Sequence, residues 1–272
     1  MILLAILSAI GFGVANGIAQ RLVHEQGIAR TLFVRSLVAS VLLAMLFVVW
    51  PHPITLEGLA IALGVNVLGF GAVFAFYRSL GVGVSGIVTP IANSAVIVTL
   101  IAAVVFFGES VGLAQYALIA LIIAGVILLS HDASNMIARG TGYALLAMVL
   151  WGLTYAFIVF PAMMIGPIAT PLIGELLAVL IAGLILLARR ERVERSSWLP
   201  LAGVGVFIVM GVAGFSGAVL SSPVSIVAAI SASNPLVTAI YMRVVHGETL
   251  SVLQRVGSVL VVIGVVILSV LG

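Results

Sequence analysis

The sequence contains no cysteine and no lysine, and charged side chains make up only 7% of its 272 residues. Without cysteine, disulfides, thiolate nucleophiles and iron–sulfur ligation are excluded. Without lysine there is no Walker A lysine and no Schiff base, so an ATP-driven pump is not expected. A soluble domain carries roughly 25% charged and about 45–50% apolar residues. Here the apolar share is 64%, and too few charges remain to cover a surface in water. The mean hydropathy of +1.41 implies that the solvent is lipid. A cytosolic enzyme, a nucleic-acid binder and a single-span receptor are all excluded by that composition. All eleven basic residues are arginine. The pI near 9.8 therefore comes from arginines placed mostly in loops, the pattern of a topology signal. No cleavable signal peptide is expected, because the first apolar segment starts at Met1 without a basic leader and runs to about Gln20.

A membrane helix needs about 20 residues, so the chain has room for roughly ten spans and no soluble domain. Breaks at charges, Pro and Gly place them near 2–20, 31–50, 57–79, 84–107, 113–130, 140–160, 167–188, 198–220, 223–245 and 250–271. The most polar connections are HDASNMIAR (131–139) and RRERVERSS (189–197). The sequence also repeats. Gly108-Glu109 and Gly247-Glu248 are 247 − 108 = 139 residues apart, and the same shift carries Gln115 onto Gln254. It also carries Gly125-Val126 onto Gly264-Val265, Phe12-Gly13 onto Trp151-Gly152, and Thr31 onto Thr170. The expected organisation is a first five-helix repeat over 1–131, a loop over 132–139 and a second repeat over 140–272. Five is odd, so the second repeat enters the membrane inverted. Inverted repeats are a transporter architecture with the substrate site near the midplane. The expected fold class is therefore an all-α membrane protein of ten transmembrane helices, two inverted five-helix repeats around a central cavity.

The motifs carry a resemblance as well. Phe76-Tyr77-Arg78-Ser79-Leu80 leads through Ser85 into Thr89-Pro90, followed by Gly108-Glu109, Gln115 and Gly125-Val126-Ile127. Ser225, Asn234-Pro235, Gly247-Glu248, Gln254 and Gly264-Val265 repeat the order. Over essentially the whole chain this resembles the drug/metabolite transporter superfamily, in particular its EamA-like ten-helix carriers. The resemblance implies a cavity lined by spans one, three and four and their mates six, eight and nine. It also implies export of amino acids, metabolites or drugs. One departure concerns charge: the loop WPHPITLE (50–57) has no arginine, whereas the loop after span seven carries four.

Arginine counts over short loops set orientation. Odd-numbered connections hold Arg21, Arg30, Arg78, Arg139, Arg189, Arg190, Arg192, Arg195 and Arg243, and even-numbered ones hold none. This predicts cytoplasmic odd loops and external termini in a multi-pass protein of the plasma (inner) membrane.

Polar groups inside a membrane are costly and mark candidate sites. Phe12, Asn16 and Gln20 share one face of span one, and Trp151 and Tyr155 share the matching face of span six beside Thr154. They are read as cavity wall, although interhelical hydrogen bonds would use the same residues. Span three carries Asn66, Phe70, Phe74 and Tyr77 at helical spacing, opposite the small residues Gly205, Val209, Ala213 and Ser216 of span eight. Spans four and nine hold Asn93, Ser94, Ser233 and Asn234 beside Pro90 and Pro235, prolines that free backbone carbonyls and are read as hinges. The predicted substrate-binding set is thus Asn16, Gln20, Asn66, Tyr77, Asn93, Ser94, Trp151, Thr154, Tyr155, Ser216, Ser233 and Asn234. Proton coupling needs one titratable group, and Glu175 is the deepest carboxylate, about 12 Å into span seven. Arg35 enters from the opposite face, so no direct salt bridge between the two is expected. Glu109 and Glu248 are expected to cap the helices that follow them.

These residues predict a secondary transporter of small neutral or zwitterionic solutes working by alternating access. No cofactor and no metal are implied, nor any nucleic-acid partner. The partners are a small-molecule substrate and membrane lipids, with the chain acting as a monomer or weak homodimer. An uncoupled facilitator or channel is the alternative. The Gly214-Phe215-Ser216-Gly217 run has the GxSG form of an intramembrane serine protease. Its only later histidine, His246, lies at the far end of the next span, too distant to act as base.

Overall fold

The computed structural model describes residues 2–82, 88, 91–109, 112–129, 140–247 and 251–271, and these are helical nearly throughout. The helices are α1 (Ile2–Gln26), α2 (Ile28–Val49), α3 (Leu56–Val82), α4 (Ala95–Phe107), α5 (Leu113–Leu129), α6 (Thr141–Phe157), α7 (Val159–Ile165), α8 (Ala169–Arg189), α9 (Arg195–Ala218), α10 (Val224–Ser231), α11 (Asn234–His246) and α12 (Val252–Leu271). Among the described residues seven helical stretches are long and apolar enough to cross a membrane; α6 with α7, and α10 with most of α11, each count as one. Three shorter apolar stretches cover 91–107, 113–128 and 255–268.

Local chemistry explains where the helices stop. Gly27 has φ +81°, a conformation that glycine adopts without penalty, and it lets α2 follow α1 after a single residue. Gly108 and Gly247, the repeat-related pair, both take the left-handed conformation that closes α4 and α11. The sixth predicted span does not end at Pro161 but runs on to Ile165 with a break at Ile158. Pro161 has no N–H for the carbonyl of Phe157, and its ring crowds that turn. Pro235 breaks the ninth in the same way, between α10 and α11.

Packing pairs helices from opposite halves of the chain. The most extensive contact is α1 on α9, followed by α5 on α12, α2 on α8 and α3 on α6. Small residues make these approaches close, as expected where lipid supplies no hydrophobic drive between helices. A Cβ on Gly11 would overlap the backbone of Gly211, and one on Gly214 would lie 2.7 Å from the Leu4 carbonyl oxygen. The repeat-related Gly125 and Gly264 seat α5 against α12: a Cβ on Gly125 would lie 2.8 Å from the Gly257 carbonyl oxygen, and one on Gly264 2.6 Å from Ile122. The outer faces are apolar, with Leu180, Leu184 and Leu187 of α8 and Val256, Val259 and Val262 of α12 exposed.

Candidate functional site

Between the two halves lies a cavity of about 130 Å³, close to the ~150 Å³ of an engineered cavity that admits benzene. Phe12 and Asn16 of α1 line it, with Arg35 of α2 and Asn66, Phe70, Val73, Phe76 and Tyr77 of α3. Asn93 joins them just ahead of α4. Trp151, Thr154 and Tyr155 of α6, Glu175 of α8, Ile208, Val212 and Phe215 of α9, and Asn234 of α11 also line it. The rings form two clusters. Phe76 lies 5.0 Å from Trp151 and 6.0 Å from Tyr77, while Tyr155 lies 4.7 Å from Phe215, centroid to centroid.

The amides hold backbone as well as facing the cavity. Pro235 cannot donate to the carbonyl of Ser231; the Asn234 amide does so instead, at 3.0 Å. The oxygen of that same amide accepts from Asn16 Nδ2 at 3.3 Å, which ties α1 to the break between α10 and α11. Asn66 Nδ2 donates to the carbonyls of Ala62 at 2.8 Å and Thr170 at 3.0 Å, joining α3 to the start of α8. Asn93 Nδ2 is buried without a hydrogen-bond partner among the described residues.

Several expectations need correction. Arg35 Nη1 lies 3.5 Å from Glu175 Oε1, both side chains being at least nine-tenths buried, so the two form a salt bridge, contrary to the expectation from the sequence. Arg35 sits about 10 Å along α2 and Glu175 about 9 Å along α8 at 1.5 Å per residue. Even entered from opposite faces, helices of 22 and 21 residues leave a gap of about 12 Å, which the two side chains span together. The cavity therefore has walls from the second and seventh predicted spans too, and Glu175 faces it. The contribution of α9 is displaced by one residue. Ile208, Val212 and Phe215 face the cavity, whereas Gly205 packs against α2 beneath the Arg35 carbonyl, so this wall is bulky rather than open.

Gln20, Ser94, Ser216 and Ser233 are not among the cavity's lining residues. Ser94 borders a minor pocket beside Asn93. Ser216 is wholly buried in α9, and Ser233 donates to the Ile230 carbonyl at 2.6 Å. Phe74 is exposed on the outer face of α3. Pro90, Thr89, Ser85 and Glu248 lie outside the described residues. Among the described residues Glu109 caps a helix other than the one that follows it. Its carboxylate accepts from Val224 N at 2.7 Å, Ser225 N at 3.2 Å and Ser225 Oγ at 2.6 Å, at the start of α10 in the other half of the chain. Among the described residues no group of His, Asp and Glu side chains could hold a metal ion.

Arg35, Ile208, Val212 and Phe215 are among the lining residues that sequence reasoning missed. One signal existed for the first: the shift of 139 carries Arg35 onto Gly174 and Ser36 onto Glu175. The two charges thus fall one position out of register on repeat-related helices that pack on one another.

The profile of the EamA-like transporter family matches residues 1–131 and 138–270. No curated protein matches the chain. Among solved structures, a crystal structure described only as that of a protein is 12% identical with a TM-score of 0.79, over 99% of this chain and 96% of that one. At that identity the likeness concerns the fold.

Proposed function

Because the chain belongs to the EamA-like transporter family, we propose that it is an alternating-access secondary transporter, an exporter of small neutral or zwitterionic metabolites from the cytoplasm. In this reading the seven long stretches and the three shorter ones make ten crossings, arranged as two inverted repeats. The packing supports that arrangement, because it has the pattern a two-fold relation demands. If α1 corresponds to α6–α7 and α9 to α3, then α1 on α9 and α6 on α3 are one contact seen twice. The pairs α2 on α8 and α5 on α12 map onto themselves.

The observation that carries the function is the cavity, which lies between the halves and takes residues from both. Rocking one repeat against the other would open it to either face in turn. The helix break at Ile158 lies against that cavity, the one at Ala232–Ser233 adjoins its lining residue Asn234, and the two are the proposed hinges. Its wall is apolar and aromatic with a few amides and one ion pair. That composition suits a solute of no net charge with an apolar part, and among the described lining residues there are no convergent arginines of the kind a phosphorylated sugar would want. In this reading odd-numbered loops face the cytoplasm and the termini lie outside, as the arginine bias favours, in the inner membrane, and the chain works as a monomer or weak homodimer.

For energy coupling, the proposal is a proton taken up at Glu175, the only carboxylate among the described lining residues. Its arrival there would release Arg35. The test is counterflow in proteoliposomes loaded with unlabelled solute. External labelled solute should accumulate transiently, and a carrier does this where a channel does not. If flux never exceeds simple equilibration, the facilitator reading replaces it. Collapse of an imposed pH gradient should abolish sustained accumulation, and indifference to the gradient removes the proton from the account.

A further inference from the structure

The Arg35–Glu175 pair is built unlike a structural salt bridge. Arginine and carboxylate normally meet fork to fork, with two parallel hydrogen bonds. Here one pair of atoms approaches, Nη1 and Oε1 at 3.5 Å, well beyond the 2.7–2.9 Å usual for a charge-assisted bond. Arg35 Nε and Glu175 Oε2 are buried without a hydrogen-bond partner among the described residues. The side chains are only 5% and 9% exposed, so the pair is withdrawn from water with one guanidinium donor and one carboxylate oxygen unfilled. Such a pair is poorly compensated for its lost hydration. It also stands at the wall of the cavity, beside Tyr77.

We propose that Arg35 and Glu175 together form the head-group subsite for a zwitterion, Arg35 taking its carboxylate and Glu175 its ammonium. This deepens the transport reading and rests on it. Charge balance selects the ligand. An anion bound to Arg35 alone would strand the Glu175 carboxylate in the bundle, and a cation on Glu175 would strand the guanidinium. A zwitterion inserted into the long contact replaces one ion pair with two and leaves the net charge unchanged. It also fills the unused donor and acceptor. The apolar remainder then lies along Phe76 and Trp151, whose rings are 5.0 Å apart, and the cavity of about 130 Å³ limits it to a modest size.

Three probes share one apolar tail and differ only in head group: L-leucine with both charges, L-leucinamide with the ammonium alone, and 4-methylpentanoate with the carboxylate alone. Binding is read as quenching of Trp151 fluorescence in the Trp50→Phe/Trp198→Phe variant, both changes lying on the exposed surface. This variant should bind leucine at least tenfold more tightly than either analogue, the effect of one hydrogen bond to a charged group. Arg35→Gln should erase the preference for leucine over leucinamide and keep that over 4-methylpentanoate; Glu175→Gln should do the reverse. Removing one partner of a buried pair can unfold a protein. The double variant Arg35→Gln/Glu175→Gln, which leaves no stranded charge, should fold and bind all three probes with one weak affinity. Equal weakening of all three probes in each single variant means that the pair merely locks α2 to α8, and overturns the proposal. So does a double variant that retains the preference for leucine, or absence of binding of all three before either residue is changed. Transport itself is judged separately by counterflow, which can succeed while the head-group assignment fails.

Discussion

Glu109→Ala should destabilise the protein by an amount the structure sets. The carboxylate receives two backbone N–H groups and one hydroxyl, at 2.7, 3.2 and 2.6 Å, from the first turn of α10. Those backbone donors have no partner within their own helix, and the N-terminus of a helix favours negative charge. A hydrogen bond to a charged group contributes about 1.5–3 kcal/mol, but Glu109 is partly exposed and water would replace some of it. Loss of the whole cap should therefore cost about 2 kcal/mol, near the upper end for helix caps, and lower Tm by roughly 5 °C. Glu109→Gln keeps one acceptor oxygen but turns an NH₂ group toward one of the two backbone donors, and should lose about half as much. Ser225→Ala removes only the hydroxyl bond. Combined with Glu109→Ala it should cost about 1 kcal/mol less than the sum of the singles, because both delete one contact. The assay is thermal unfolding in detergent with native-gel recovery as the check on folding. Strict additivity of the two changes, or a Glu109→Ala protein as stable as the parent, would refute the cross-repeat cap.

Asn234→Ala should cost about 1–2 kcal/mol by leaving the Ser231 carbonyl unpaired next to Pro235, and thermal unfolding against Asn16→Ala separates this from loss of the Asn16 contact. Gly11→Val should prevent folding outright, since its Cβ would overlap the Gly211 backbone, whereas Gly203→Val, which meets open space, should leave a monodisperse protein on size-exclusion chromatography. A single Cys at Glu194 should resist impermeant reagent in intact cells, and labelling there would reverse the proposed orientation. Ser197, in the same stretch, is only 4% exposed and would be a misleading position for that label.

The helices were readable because hydropathy and glycine carry them directly. Gly108 with Gly247, and Gly125 with Gly264, recur at one spacing, and each pair performs one backbone task twice: a left-handed helix end, and a close approach of α5 to α12. The break at Ile158 was missed because Pro161 reads as an end and acts one turn earlier, on the carbonyl of Phe157. Half of the site was legible where both halves of the repeat carry amphipathic faces, as with Asn16 and Tyr155. The α9 wall was not. Glycine-rich helices offer several plausible faces, and only the packing of Gly205 against α2 decides that Phe215 turns inward. The Arg35–Glu175 contact was lost by counting depth along helices without adding the reach of two long side chains.

The most direct test of alternating access asks whether the cavity opens to both faces. The native chain has no cysteine, and Thr154 lines the cavity while being only 6% exposed, so Thr154→Cys is a near-isosteric single reporter. In right-side-out proteoliposomes, impermeant maleimide should label it when added outside, and also when trapped inside. Transported solute should slow both reactions. Labelling from one face only, with or without solute, would describe a pocket fixed open to that face and would contradict the carrier mechanism.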